Sequence, residues 1–386
     1  MIVKNPLTIV VNAYNRPASL QRLLGSLLRA DLPDGTDLLI DIDGGGDPAV
    51  RRLAEALDWP GGEKIIRAHD KNLGLVEHFL HCGGLTRDLG DIVYLEDDLA
   101  VSRQFVHFSL QALAAYRDDD RIAGISLNRL AINGYTQHRY VPLPDEGDVF
   151  FAQIFWYQGQ AFNPAMWERF EMWWENDRRP ITPQDGLHPL FLPHPRWEND
   201  FFPETMLYLQ YTGRFFAFPR ESHTTQFGDP GTHFHRRTGV YQVPLQHLRD
   251  RFRFKGLDAS RAVYDSFLEI LPDRLAGSLP GYSFDVDLNG TRPRGAFRAP
   301  LALTTRPVRR AEMGFGLQMR PPELNVIDQT PGAAIRLARV EDVRFDRLAE
   351  LATAARLDRY HNPNRIGLRR ALLYRILRAF DRDAGP

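Results

Sequence analysis

The chain has 386 residues, 43% hydrophobic and 25% charged, with a formal net charge of −1. Such a composition supports a globular core and excludes a disordered or collagen-like chain, and balanced charge excludes a protein built mainly for nucleic acid, which carries a basic excess. One cysteine, Cys82, excludes an intrachain disulfide framework and a cysteine-based zinc site, and fits a reducing, cytoplasmic setting.

Residues 7–12 (LTIVVN) form a short β-branched run, the pattern of a strand buried on both faces. This apolar stretch is broken by Asn12, Asn15 and Arg16, so a signal peptide is not expected, and no run approaches the ~20 apolar residues that span a bilayer. Pro17 suits the first turn of a helix, and Leu20, Leu23, Leu24, Leu27 and Leu28 follow at helical spacing. Residues 38–42 (LLIDI) predict a second strand, stopped by Gly44, Gly45 and Gly46, followed by a helix over 49–57. Residues 64–68 (KIIRA) predict a third strand, and 75–82 a helix ending at Gly83 and Gly84. Residues 91–95 (DIVYL) predict a fourth strand that runs into Glu96, Asp97 and Asp98, then a helix over 104–116 and a fifth strand over 122–126.

Strands alternating with helices imply a parallel sheet with right-handed crossovers, and ligands of such sheets bind beyond the carboxyl ends of the strands. Polar clusters fall at those ends: residues 12–16, 41–47, 69–72 and 96–98. Their convergence on one rim is the main argument for a ligand site. The glycines at 44–46 lack the Lys-Ser/Thr of a phosphate-binding loop and do not match a dinucleotide fingerprint, and no G-x-S-x-G motif is present. Cys82 reads as a small buried apolar residue.

From about Tyr135 aromatics become dense, including Phe155, Trp156, Phe162, Trp167, Phe170, Trp173 and Trp174. Most of these are expected in the core, and a subset is a candidate platform for a sugar face. Beyond about Val240 the chain is rich in Arg and Pro, with strand-like pieces at 283–286 and 301–303 and helices at 344–356 and 366–380. The last of these has leucines and a basic face; it reads as a packing helix with a charged outer side or as a peripheral membrane contact.

Three consecutive carboxylates, Glu96, Asp97 and Asp98, at the end of a buried strand repel one another unless a cation neutralises them. Carboxylate oxygens suit Mg²⁺ or Mn²⁺, which would offset charge on a diphosphate. The alternative is an acidic loop in which Asp98 caps the following helix.

The same residues carry a family resemblance. Residues 8–16 (TIVVNAYNR), 40–43 (IDID), Asn72-Leu73-Gly74 and 95–98 (LEDD) resemble the opening strand, second strand, N-x-G turn and DXD-type motif of GT-A glycosyltransferases. LEDD is similar to the form found in N-acetylglucosaminyltransferase I-like enzymes, and the N-x-G turn to family 2-type enzymes. Residues 219–234 (PRESHTTQFGDPGTHF) resemble a segment of bacterial polysaccharide glycosyltransferases, departing from it at Thr224-Thr225-Gln226-Phe227. The resemblance covers residues 7–235 and implies an α/β, Rossmann-like GT-A fold with a mostly parallel sheet flanked by helices, over residues 1–240. Residues 241–386 would form a C-terminal α+β extension.

The resemblance further implies that Asp98 binds a Mn²⁺ or Mg²⁺ ion with His233 as a second ligand, and that Asp97 or Glu96 reaches the ribose. Asp43 would hydrogen-bond the base, with Asn12, Asn15, Arg16 and Asn72 near base or phosphates. Asp200, with Glu198 in reserve, would be the general base of an inverting reaction. Gly159 would allow close approach of the donor sugar. Plainer readings stand beside these: Arg16 as a surface arginine at a helix start, His233 as a loop histidine, Asp200 as a helix cap. The expected donor is a nucleoside diphosphate sugar, a UDP-sugar first, and the acceptor a hydroxyl on a glycan or lipid-linked molecule. The rivals are a nucleotidyltransferase and a non-catalytic carbohydrate- or nucleotide-binding protein on a degenerate transferase fold.

Overall fold

Short apolar runs buried on both faces build one large sheet in a computed structural model that describes residues 7–193, 200–230 and 238–363. β1 (Leu7–Ala13), β2 (Thr36–Ile42), β3 (Lys64–Ala68) and β4 (Ile92–Glu96) lie parallel in the order β3-β2-β1-β4. The connections carry α1 (Pro17–Leu27), α2 (Pro48–Ala56), α3 (Gly74–Gly84) and the single turn α4 (Thr86–Leu89). α1 starts where Pro17 supplies a preset φ, and it buries Leu20, Leu23, Leu24 and Leu27.

The chain then leaves the sheet for a three-residue strand that the sequence pattern does not announce, β5 (Leu99–Val101), and returns through α5 (Phe105–Ala115) to β6 (Ile122–Ser126). β7 (Val149–Ala152), β8 (Gln160–Phe162), α6 (Pro164–Asn176), α7 (Phe202–Thr212), β9 (Phe215–Pro219), β10 (Thr224–Gln226) and β11 (Val263–Tyr264) follow. The complete sheet has nine strands in the order β11-β7-β9-β6-β8-β4-β1-β2-β3. It is mostly parallel; β8 runs antiparallel to β4 and β6, and β7 antiparallel to β9. β5 and β10 form their own antiparallel pair.

A second, four-stranded sheet is built from β12 (Phe284–Asp287), β13 (Leu301–Thr304), β14 (Met313–Phe315) and β15 (Ile335–Arg339), in the order β12-β13-β15-β14. α8 (Glu323–Ile327) and α9 (Arg347–His361) accompany it. Because β11 pairs with β7, the chain beyond residue 240 contributes to both sheets. The helix expected at 366–380 lies outside the described residues, and no helix among the described residues is long and apolar enough to cross a membrane.

The aromatic region is core. Trp167 is 1% exposed and packs edge-on against Phe79, Phe162 and Phe170 at 5.2–5.3 Å between centroids. Burying side chains of this size contributes roughly 1.5–3 kcal/mol each. α3 ends at the Gly83–Gly84 pair, as expected, and Gly83 has a steric reason as well: a Cβ there would sit 2.0 Å from the Trp167 ring. Trp173 and Trp174 are buried too, so of the α6 tryptophans none is available as a sugar platform.

Candidate active site

Strand register places four polar residues on one rung. Arg67 of β3 pairs with Asp41 of β2, Asp41 with Asn12 of β1, and Asn12 with Glu96 of β4. Register partners on neighbouring strands project to the same face, so this polar line crosses a largely apolar sheet near the carboxyl ends of its strands. Asn12 is held by its amide, which donates to the Tyr94 hydroxyl at 2.9 Å.

At the β4 end of the rung the acidic run meets Arg16, the residue that precedes α1. Its guanidinium donates to Asp97 Oδ1 at 2.5 Å and to Asp98 Oδ2 at 2.8 Å. Asp97 is 3% exposed, and burial pushes its pKa up to about 6 against the pull of Arg16. Glu96 is pushed up to about 8, first by burial and then by the charge of Asp98, with Asp97 and Asp200 adding and Arg16 opposing. Burial disfavours the charge on Arg16 too, but Asp97, Asp98 and Glu96 outweigh it and raise its pKa. Three carboxylates thus share one guanidinium, and Asp98 Oδ1 is buried with no hydrogen-bond partner. An uncompensated buried oxygen beside surplus negative charge fits a divalent cation.

Distant segments close around this point. β10 pairs with β5 so that Gln226 lies opposite Leu99, the residue after Asp98. Gln226 donates to the Gln158 side chain at 2.9 Å, and the Thr224 hydroxyl donates to the Gln158 carbonyl. Gly159 has φ +90°, and a Cβ on it would lie 2.7 Å from the Thr224 methyl. Beyond β10, Asp229 accepts from Ser19 at 3.1 Å and pairs with Arg22, whose guanidinium lies over the Phe227 ring, so the segment folds back over α1. Asp200 enters from the loop before α7; its carboxylate accepts the Phe202 N–H at 2.9 Å, and its charge reaches Glu96 and Tyr157.

Arg16, Glu96, Asp97, Asp98 and Asp200 are therefore brought together, with Asn12 on the same rung as Glu96 and Asn15 exposed in the β1–α1 loop. Asp43 makes backbone bonds at the end of β2. Oδ1 accepts from Gly44 N and Leu73 N at 2.8 and 2.6 Å, and Oδ2 from Gly74 N at 3.0 Å. Backbone donors therefore engage both oxygens, which staple the end of β2 to the start of α3. Asn72 reinforces the same junction by donating to the Gly44 carbonyl at 3.1 Å. Glu198 and His233 lie outside the described residues. His223, a neighbour of His233 in the same motif, is 1% exposed, bonded to Ser102 at 2.9 Å and stacked on Phe108. Burial lowers its pKa to about 3, so it stays neutral.

At the β2–β3 end of the rung is a cluster that sequence reasoning passed over. Asp41, His69 and His78 each offer one ligand atom, all within 4.8 Å of one another, a set able to hold a metal ion. The available signal was a buried Asp within a strand run and the i, i+3 pair His78 and His81 on one helix.

No family model matches the sequence, and no curated relative matches it. Solved structures do. A mannosyltransferase from Pyrobaculum calidifontis, in complex with GDP-Man and Mn²⁺, aligns over 44% of this chain and 47% of its own at 16% identity, with a TM-score of 0.30. TarS 1–349 from S. aureus aligns over 56% of this chain and 59% of its own at 13% identity, TM-score 0.34. Its complex with UDP-GlcNAc gives 59% and 60% coverage at 13% identity, TM-score 0.36. This chain matches about half to three-fifths of the length of those proteins.

Proposed function

We propose that the chain is a GT-A-type glycosyltransferase that takes a nucleoside diphosphate sugar at the carboxyl ends of β1, β2 and β4. One observation carries the reading: a buried run of three acids, sharing one arginine and leaving Asp98 Oδ1 without a partner, at the strand-end rim where α/β sheets bind ligands. Asp98 would hold a Mn²⁺ or Mg²⁺ ion, with His233 as a further ligand; when bound, the ion supplies charge neutralisation for the departing nucleoside diphosphate. Arg16 would release part of its pairing with Asp97 and Asp98 to the donor phosphates, which suit its forked donors. Glu96 or Asp97 would accept from the ribose. Asp43 and Asn72 would act on the base by fixing the β2–α3 junction against which it lies.

In the transfer step, Asp200 takes the proton of an acceptor hydroxyl as its oxygen bonds to the anomeric carbon and the carbon–phosphate oxygen bond breaks, with inversion. Glu198 is the reserve base. Gly159 would allow close approach of the donor sugar, in a place where a Cβ would already lie 2.7 Å from the Thr224 methyl. A glycan or lipid-linked molecule is the acceptor class, and the chain beyond residue 363 is the candidate peripheral membrane contact. The sugar nucleotides named for the aligned structures, GDP-Man and UDP-GlcNAc, are the donors to try first.

Release of nucleoside diphosphate from UDP- and GDP-sugars tests the reading, with and without Mn²⁺ and after chelation. Metal-dependent release supports it; no release from any donor at any metal level contradicts it. The double pairing of Arg16 favours a second reading, in which the arginine neutralises the run and transfer proceeds without metal; release that survives chelation and is lost in Arg16→Ala would select it.

A further inference from the structure

We propose that Asp41, His69, His78 and His81 form a second, nitrogen-rich metal site of the zinc class, separate from the acidic run and independent of the transfer reading. His69 Nε2 lies 2.6 Å and His78 Nε2 2.9 Å from the same oxygen, Asp41 Oδ1. His81 Nε2 lies 3.4 Å from the other oxygen, Oδ2, which is buried and accepts no hydrogen bond. A cluster that existed only to satisfy Asp41 would spread its donors over both oxygens. Here two imidazoles crowd one oxygen while a third nitrogen faces the unpartnered one.

The supports are rigid: Asp41 is on β2 and fully buried, His69 follows β3, and His78 and His81 are one turn apart on α3. Two ligands about 2.0–2.1 Å from a tetrahedral ion stand about 3.3 Å apart. The His81–Asp41 pair is at that spacing, and the His78 and His69 pairs with Asp41 would open to it by about 0.4 and about 0.7 Å; His81 lies outside the three-residue group and would have to move in to complete the set. Three imidazoles and one carboxylate select Zn²⁺, Co²⁺ or Ni²⁺ over Mg²⁺ and Ca²⁺, the reverse of the all-carboxylate run at Glu96–Asp98. Four protein ligands would close the coordination sphere, which makes the site structural: it clamps α3 to β2 and β3. Arg67 is the competing cation. Its Nη1 is 3.8 Å from Asp41 Oδ2 and donates to His81 Nε2 at 3.1 Å, and its side chain is 41% exposed, free to turn outward as an ion enters.

The test is titration of the chelator-stripped full chain with Co²⁺, following visible ligand-field absorption, then displacement by Zn²⁺. One tetrahedral Co²⁺ equivalent is expected, retained in Asp98→Asn and weakened by at least about tenfold in His81→Ala. Arg67→Ala should bind several-fold more tightly, because a competing positive charge is gone; a merely hydrogen-bonded cluster would gain nothing from that change. His81 and Arg67 are both partly exposed, so these variants should fold. Absence of tetrahedral Co²⁺ absorption, or binding unchanged in both His81→Ala and Arg67→Ala, overturns the assignment.

Discussion

Two buried acidic clusters in this chain solve the same electrostatic problem differently. Beside the small sheet, Asp265, Glu269 and Asp287 meet Arg292 and Arg306. Both oxygens of each carboxylate accept from the protein: Asp265 from Phe267 N, Glu269 N and Arg292; Glu269 from Leu288 N and Asn289 N; Asp287 from Arg292 N, Thr304 and Arg306. Burial still pushes Glu269 and Asp287 up, but no oxygen is left over. Beside the large sheet, Glu96, Asp97 and Asp98 have one arginine, and Asp98 keeps an oxygen with no donor. A cluster that closes on itself holds a fold together. One that stays short of positive charge is stable only if something else supplies it, and that shortage is the mark of a ligand site.

The contrast predicts opposite phenotypes. Asp98→Asn should leave the melting temperature nearly unchanged yet lower sugar transfer by about a thousandfold, the scale of losing a charge-stabilising group at a reacting centre; a steady-state assay beside a melting curve reads both. Arg306→Met should do the reverse. Arg306 is 4% exposed and donates to Asp287 at 2.9 Å, so its loss strands a buried carboxylate and costs roughly 3–5 kcal/mol in denaturant unfolding, with nucleotide affinity intact.

Asp200→Asn sharpens the division of labour within the acidic site. Turnover should fall by roughly 10²–10⁴-fold while donor affinity by calorimetry stays within about twofold. Equal loss of both would make Asp200 a donor ligand rather than a base. Glu323 gives a pH-dependent version of the comparison. It is 4% exposed, Oε2 has no hydrogen-bond partner, and burial pushes its pKa from 4.5 to about 7. Between those values the folded state keeps the proton and the unfolded state does not. Stability from this group is therefore lost as pH rises from 4.5 toward 7, by at most about 3 kcal/mol, and is level above. In Glu323→Gln that slope should vanish in melting curves taken across pH 4–8. The smallest effect is Gly159→Ala: with φ at +90° and Thr224 in the way, it should cost roughly 1–3 kcal/mol, read as a lowered unfolding midpoint.

The legible parts of the chain were those where one local pattern decides the outcome. β1, β2 and β4 lie in the sheet interior, so they read as largely apolar runs, and the acids from the end of β4 onward stood out against that background. β5, β8 and β10 have three residues each, too few for any period to show, and their pairing is set by contacts far away in sequence. Gly83 and Gly84 marked the end of α3 correctly, but the Trp167 ring packed against Gly83 comes from a distant helix and no local pattern announces it. Asp43 was legible as an important acid, but its three backbone donors come from a turn whose geometry no residue pattern specifies. The Asp41 cluster escaped for a related reason: its members sit on β2, after β3 and on α3, and only the register brings them to one point.

The most direct test of the central claim is a thermal-shift panel of UDP, GDP and their sugars on the full chain and on Asp98→Asn, with and without Mn²⁺. A ligand that binds only the folded state raises the melting temperature, by the equivalent of about 2.7 kcal/mol at a hundredfold excess over its Kd. A nucleotide-dependent shift that needs Mn²⁺ and disappears in Asp98→Asn is the result expected if the acidic run holds the donor's diphosphate. A shift of equal size in Asp98→Asn, or none with any nucleotide, would contradict it.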